Sequence, residues 1–155
     1  MLKTCVRCFF GCSGFKSDLS QWNVSNVEDM ISMFYDCNIF NSDLSKWDVS
    51  NVKDMKNTFF ECYELNCDLS KWDVSNVENM SCIFLGCISL TTEIFWNTES
   101  ITDMIKISKM FSSSKITNVV LNLDNVELEE TFDIKSYIGL KSDSSFERMS
   151  DVFLK

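Results

Sequence analysis

Asp43-Leu-Ser-Lys-Trp-Asp-Val-Ser-Asn-Val52 decides how this chain is read, because it returns as Asp68-Leu-Ser-Lys-Trp-Asp-Val-Ser-Asn-Val77. A slightly changed copy, Asp18-Leu-Ser-Gln-Trp-Asn-Val-Ser-Asn-Val27, precedes both, and the offset is 25 residues each time. Self-similarity at a fixed period of this length marks a solenoid, whose units bury their apolar faces only against one another. Aligned on the repeated valine, units begin at Leu2, Val27, Val52 and Val77, then at Ile101 and Val126, with a last start at Phe146. The copies are regular over 2–104 and degenerate over 105–155, where Met110-Phe111 follows two extra residues. Pro is absent and Gly is scarce, so no linker divides the chain and 1–155 reads as a single repeat domain.

Inside a unit the apolar spacing changes. Val27, Met30, Phe34 and Cys37 lie three or four apart, as do Val52, Met55, Phe59 and Cys62, and Val77, Met80, Phe84 and Cys87. That spacing predicts one face of a short amphipathic helix of about ten residues. Ser25-Asn-Val-Glu28 and Ser75-Asn-Val-Glu78 match a capping box at its start. The segment with Leu44, Trp47 and Val49, repeated at Leu69 and Trp72, predicts a short strand. Ile116 to Leu123 predicts a further one. The fold class expected is therefore α/β: a leucine-rich-repeat-like curved solenoid with one short strand and one short helix per turn. Strands stack about 4.8 Å apart and helices about 10 Å apart, and that wedge would curve a stack of about six turns and roughly 30 Å. These columns, with Trp22 at the head of the Trp22, Trp47, Trp72 ladder, form the expected core; a ladder facing outward would instead give an aromatic stripe.

Composition narrows the function. A net charge of −9 disfavours nucleic acid, which needs clustered Lys and Arg. No apolar run approaches the roughly 20 residues of a transmembrane helix. The opening Met1-Leu-Lys-Thr-Cys-Val-Arg-Cys-Phe-Phe-Gly-Cys12 is too short an apolar segment for a signal peptide and fits the repeat, which favours an intracellular chain. Cys12, Cys37, Cys62 and Cys87 fall one per unit, as buried thiols would, and suggest a reducing compartment.

Catalysis is hard to build from these residues. The chain has no His, the commonest general base near neutral pH, and no nucleophile elbow, phosphate loop or zincin motif. No catalytic or cofactor-binding residue is assigned, and no cofactor is expected. Two metal readings stand as alternatives. Cys5, Cys8 and Cys12 suggest zinc, and the Asp18, Asp43, Asp68, Glu93 ladder suggests calcium, against a plain core column and a turn-forming column. Asn26, Asn51 and Asn76 form a column whose amides can bond backbone groups across turns.

The units resemble the roughly 25-residue surface-protein repeats of mycoplasmas and other microbes, relatives of BspA-like leucine-rich repeats. The resemblance is carried by Trp47-Asp-Val-Ser-Asn-Val52, Asp54-Met55 and the Phe-x-x-Cys-x-x-Leu elements Phe59, Cys62, Leu65 and Phe84, Cys87, Leu90. It covers about residues 2–104. It implies a leucine-rich-repeat-like solenoid with a role in adhesion or protein–protein interaction, often at a cell surface, and no shared catalytic centre.

The expected function is a non-enzymatic module that meets an unknown protein partner. Its candidate surface is formed by residues that vary between copies at fixed positions: Gln21, Lys46 and Lys71, and Asn23, Asp48 and Asp73. A competing expectation is end-to-end self-association through exposed apolar ends and strand edges. A third is a metal-stabilised repeat.

Overall fold

The repeat is built from backbone hydrogen bonds that cross from one copy to the next. In the computed structural model, which describes residues 3–126 and 133–148, the N–H groups of Met30, Ser32, Phe34 and Asp36 donate to the carbonyls of Asp54, Lys56, Thr58 and Phe60 at 2.8–2.9 Å. Met55, Asn57, Phe59 and Glu61 repeat the pattern onto Asn79, Ser81, Ile83 and Leu85. Parallel bridges join Thr4 to Asp29, Asp29 to Asp54 and Asp54 to Asn79. Equivalent positions in successive copies therefore lie side by side.

The helix expected over Val27–Cys37 and its copies is not formed. Along this segment N–H groups that stay within a copy reach back three residues, Met33 to Met30, Tyr35 to Ser32 and Cys37 to Phe34, at 3.0–3.2 Å. The segment is a ribbon of successive β-turns. Its turns place Ser32 (φ 54°), Asp36 (φ 59°), Asn57 (φ 56°) and Glu61 (φ 56°) in the left-handed region, as the third residue of a type II turn requires. Turns closed over three residues also bring positions three and four apart to one side, so the apolar spacing that resembles a helix is satisfied without one. The capping boxes dissolve for the same reason. The Ser25 hydroxyl donates to Asn23 at 2.7 Å, and the Glu28 carboxylate meets Lys3 and Lys53.

The strand expected at Leu44–Val49 is also absent. Trp47 N–H donates to Leu44 C=O at 3.0 Å, closing a turn. Strands appear only later: β1 (Ile94–Trp96), β2 (Asn118–Leu121) and β3 (Ser145–Arg148) form a parallel sheet in that order, with Ile94 opposite Val119 and Val119 opposite Phe146. β2 lies within the strand expected at 116–123. A five-residue helix, α1 (Ile134–Ile138), ends on Gly139 with φ 83°. The unit of one strand and one helix per 25 residues is thus replaced by turns, and the curvature argued from helix spacing loses its premise. The start at Leu2 and most of the Phe146–Phe153 copy lie outside the described residues.

The core is a set of columns. Phe9, Phe34, Phe59, Phe84 and Phe111 stack in file, with centroid separations of 5.3, 5.5, 5.8 and 6.1 Å and interplanar angles opening from 1° through 4° and 10° to 20°. Val27, Met30, Phe34, Cys37, Leu44, Trp47, Val52, Met55, Phe59, Cys62, Leu69, Trp72, Val77, Met80, Phe84 and Cys87 are all buried. Trp22 is not; it is 45% exposed and leans on Phe9 at 5.5 Å. Its counterparts are anchored by an indole N–H onto the preceding copy: Trp47 to Leu19, Trp72 to Leu44 and Trp96 to Leu69, at 3.0–3.1 Å. Each buried aromatic ring contributes about 2–3 kcal/mol by removal from water.

Candidate interaction surface

Gln21, Lys46 and Lys71 occupy the third position of the Leu-Ser-x-Trp turns and are exposed, as are Asn23, Asp48 and Asp73 one residue past each Trp. The structure brings the six together as two parallel columns. The second column is occupied locally. Asn23, Asp48 and Asp73 each accept the N–H of the serine two residues on, at 3.1 Å, and its hydroxyl at 2.6–2.7 Å. Hydrogen bonds from the Ser75 hydroxyl and N–H hold the Asp73 carboxyl below the usual range. In the other column the Gln21 amide donates to the Ser20 hydroxyl at 3.3 Å, while Lys46 and Lys71 are exposed.

The neighbouring acidic ladder behaves as a turn column. Asp18, Asp43 and Asp68 accept the N–H groups of Ser20, Ser45 and Ser70 at 2.8–2.9 Å. Hydrogen bonds from the same serines lower all three carboxyl pKa values. Among the described residues no group of three or more carboxylates or thiols is arranged to hold a metal ion, and the three aspartates serve as a turn column. Between them lie two shallow clefts of about 370 and 250 Å³, the first lined by Lys16, Asp18, Gln21, Asp43 and Lys46, the second by Asn41, Asp43, Asn66 and Asp68.

Zinc at the first cysteines is not supported either. Cys5 and Cys8 are joined as a disulfide, against the expectation of reduced thiols, because a turn of this ribbon brings their Cα atoms to 5.3 Å. That leaves Cys12 as the one thiol of the three, short of the four ligands a closed zinc site takes. Cys37, Cys62 and Cys87 are buried and donate to the carbonyls of Phe9, Phe34 and Phe59 at 3.0–3.1 Å. Burial pushes the Cys37 thiol up to about 11 and that of Cys67 to about 12.

The asparagine column does cross between copies. Asn51 and Asn76 donate to the carbonyls of Ser25 and Ser50 at 2.8 and 2.7 Å, and Asn125 to that of Glu99. A second asparagine column went unread in the sequence: Asn41 and Asn66 accept the N–H groups of Asn66 and Thr91.

The larger omission is on the turn ribbon. Phe10, Tyr35 and Phe60 form an outer file, with centroids 4.7 and 4.4 Å apart and planes within 10° and 3° of parallel. Phe10 is 45% exposed, Tyr35 and Phe60 are half-buried, and Tyr63, whose hydroxyl donates to Glu61, is 39% exposed, as Ile88 is to 48%. The signal was in the doublets Phe9-Phe10, Phe34-Tyr35 and Phe59-Phe60. The first ring of each turns in, and the second can only turn out.

The family model described as "Mycoplasma protein of unknown function, DUF285" matches residues 3–137. The chain belongs to that family. No curated protein and no solved structure matches it. The DUF285 match takes in the turn-ribbon copies, β1, β2 and most of α1. Among the described residues no helix is long and apolar enough to cross a membrane.

Proposed function

We propose that this DUF285 chain is a non-catalytic interaction module, a solenoid of turn ribbons related to BspA-like repeats, that meets a protein partner. The observation that carries this is the outer file Phe10–Tyr35–Phe60, three rings stacked along the outside of the turn ribbon with the Phe10 end 45% exposed, a feature of the kind that marks an interaction site. The absence of His and the raised thiol pKa values support a role without nucleophilic or general-base chemistry. The Phe59, Cys62, Leu65 element supports the BspA-like relation. Cys62 closes a turn on Phe59 and Leu65 closes the next on Cys62, which accounts for its spacing of three.

Two surfaces compete for the partner: the outer file and the Gln21, Lys46, Lys71 column. A pull-down with the whole chain, the variant Tyr35→Ser/Phe60→Ser and the variant Lys46→Ala/Lys71→Ala separates them. Loss of the partner with the first variant alone places contact on the turn ribbon. Loss with the second alone places it on the lysine column, and retention by both removes the interaction reading for these surfaces.

A further inference from the structure

The outer file restricts the chemistry of its partner, an inference that rests on the interaction reading above. Its rings cover each other's faces, so the edges are what the surface offers. An aromatic face is negative and its edge positive. Sugar rings and cations stack on faces. One end face of the file, that of Phe10, already holds a cation: the guanidinium carbon of Arg7 lies 5.1 Å from its centroid. Edges instead suit apolar side chains and the faces of other rings.

Acidic groups border this strip. Asp36 and Glu61 follow Tyr35 and Phe60 directly. Asp36 and Glu61 touch only neutral partners in the bonds that hold them: the Asn38 amide at 2.7 Å and the Tyr63 hydroxyl at 3.2 Å. The ion pairs among the described residues are at Glu28, with Lys3 and Lys53. Arg7 sits at the Phe10 end of the file, Lys56 is exposed on the same ribbon, and Lys16 shares a cleft with Glu64. Beside Tyr35 and Phe60, Asp36 and Glu61 stand without an ion-pair partner, on a chain of net charge −9.

We propose that Phe10, Tyr35, Phe60 and Tyr63, with the carboxylates of Asp36 and Glu61, dock a basic, apolar segment of polypeptide. Leucine or phenylalanine side chains of that segment pack on the ring edges, and its lysines or arginines pair with the two carboxylates.

Fluorescence anisotropy of labelled peptides against the whole chain tests this. The probe is a peptide of Leu, Phe and Lys; its counterparts replace Lys by Glu, or Leu and Phe by Ser. The probe should bind about ten-fold or more tighter than either counterpart and weaken as salt rises. Asp36→Asn/Glu61→Gln should lose a few-fold in affinity and flatten the salt dependence. It breaks no ion pair, and Asn suits the left-handed backbone at position 36, so its fold is retained. Tyr35→Ser/Phe60→Ser should abolish binding. Equal or better binding of the Glu peptide overturns the basic partner while leaving the interaction surface standing. Displacement of the probe by cellohexaose, or a dimer that Tyr35→Ser/Phe60→Ser abolishes, assigns the strip to a sugar or to a second copy instead. Failure of every peptide, with no dimer, overturns both readings.

Discussion

Leu69-Ser-Lys-Trp72 and Ile94-Phe-Trp96 hold equivalent places in the repeat and differ by one residue. In the longer version Trp72 N–H closes a turn on Leu69, and the side chains are three apart. In the shorter version the two apolar residues are two apart, the spacing of a strand, and Ile94–Trp96 pairs in parallel with Asn118–Leu121. Both send an indole N–H to a carbonyl of the preceding copy. Removal of one residue has turned a corner into a strand while leaving the core column in place. On the other side of the stack the reverse happens. Met80, Cys82, Phe84 and Gly86 donate to Lys106, Ser108, Met110 and Ser112, two residues farther along than in earlier copies, and a 3₁₀ helix at Met104–Ile107 takes up the excess. The stack tolerates length changes wherever the chain can re-close locally without moving a buried ring.

That contrast predicts where damage is greatest. Phe59 has near-parallel rings on both sides, whereas Phe111 stacks on Phe84 with its plane tilted by 20°. Phe59→Ala should cost about 4 kcal/mol in denaturant unfolding, and Phe111→Ala about 3 kcal/mol or less. Equal losses would show that the file does not act as a stack. Next in size is an insertion. A serine placed between Phe95 and Trp96 restores the turn spacing and should remove the protection of the Val120 and Asn122 amides, which face β1, from exchange, at a cost of about 2 kcal/mol. Unchanged protection there would show that spacing does not select the strand.

The period and the inward columns could be read from the sequence because a buried position in a stack must be filled in every copy. Phe34, Phe59 and Phe84, or Leu44 and Leu69, repeat for that reason. The ribbon could not be read, because Val52, Met55 and Phe59 have a spacing that both a helix and successive turns satisfy. The residues with left-handed backbone gave no warning either. Ser32, Glu61 and Cys82 stand where glycine would have signalled a turn. The candidate surface was half legible. The exposed lysine column follows from variation between copies, but the outer rings were masked by their inward neighbours in each doublet.

Smaller effects separate the regions further. Asn76→Ala removes a bond to Ser50 C=O and should cost about 1 kcal/mol, leaving the sheet amides unchanged. The alkaline effect of buried thiols should fall on the regular copies, since the last cysteine is Cys87. The folded thiols of Cys37 and Cys67 titrate near 11 and 12, above the roughly 8.5 of an unfolded thiol. Their contribution is complete below about 8.5 and is lost as pH climbs from there toward the folded values. Denaturation midpoints should fall between pH 8 and 10, and less so in Cys37→Ala/Cys67→Ala. The carboxyls of Asp18, Asp43 and Asp68 are shifted down, so their contribution is lost on the acid side, as pH falls below about 4.

Scalar couplings across hydrogen bonds, measured by NMR on the isotopically labelled chain, test the central claim most directly. Copy-to-copy bonding predicts couplings from the Ser32 and Phe34 nitrogens to the carbonyl carbons of Lys56 and Thr58. Couplings from Phe34 back to Met30, the pattern of an α-helix, would contradict it.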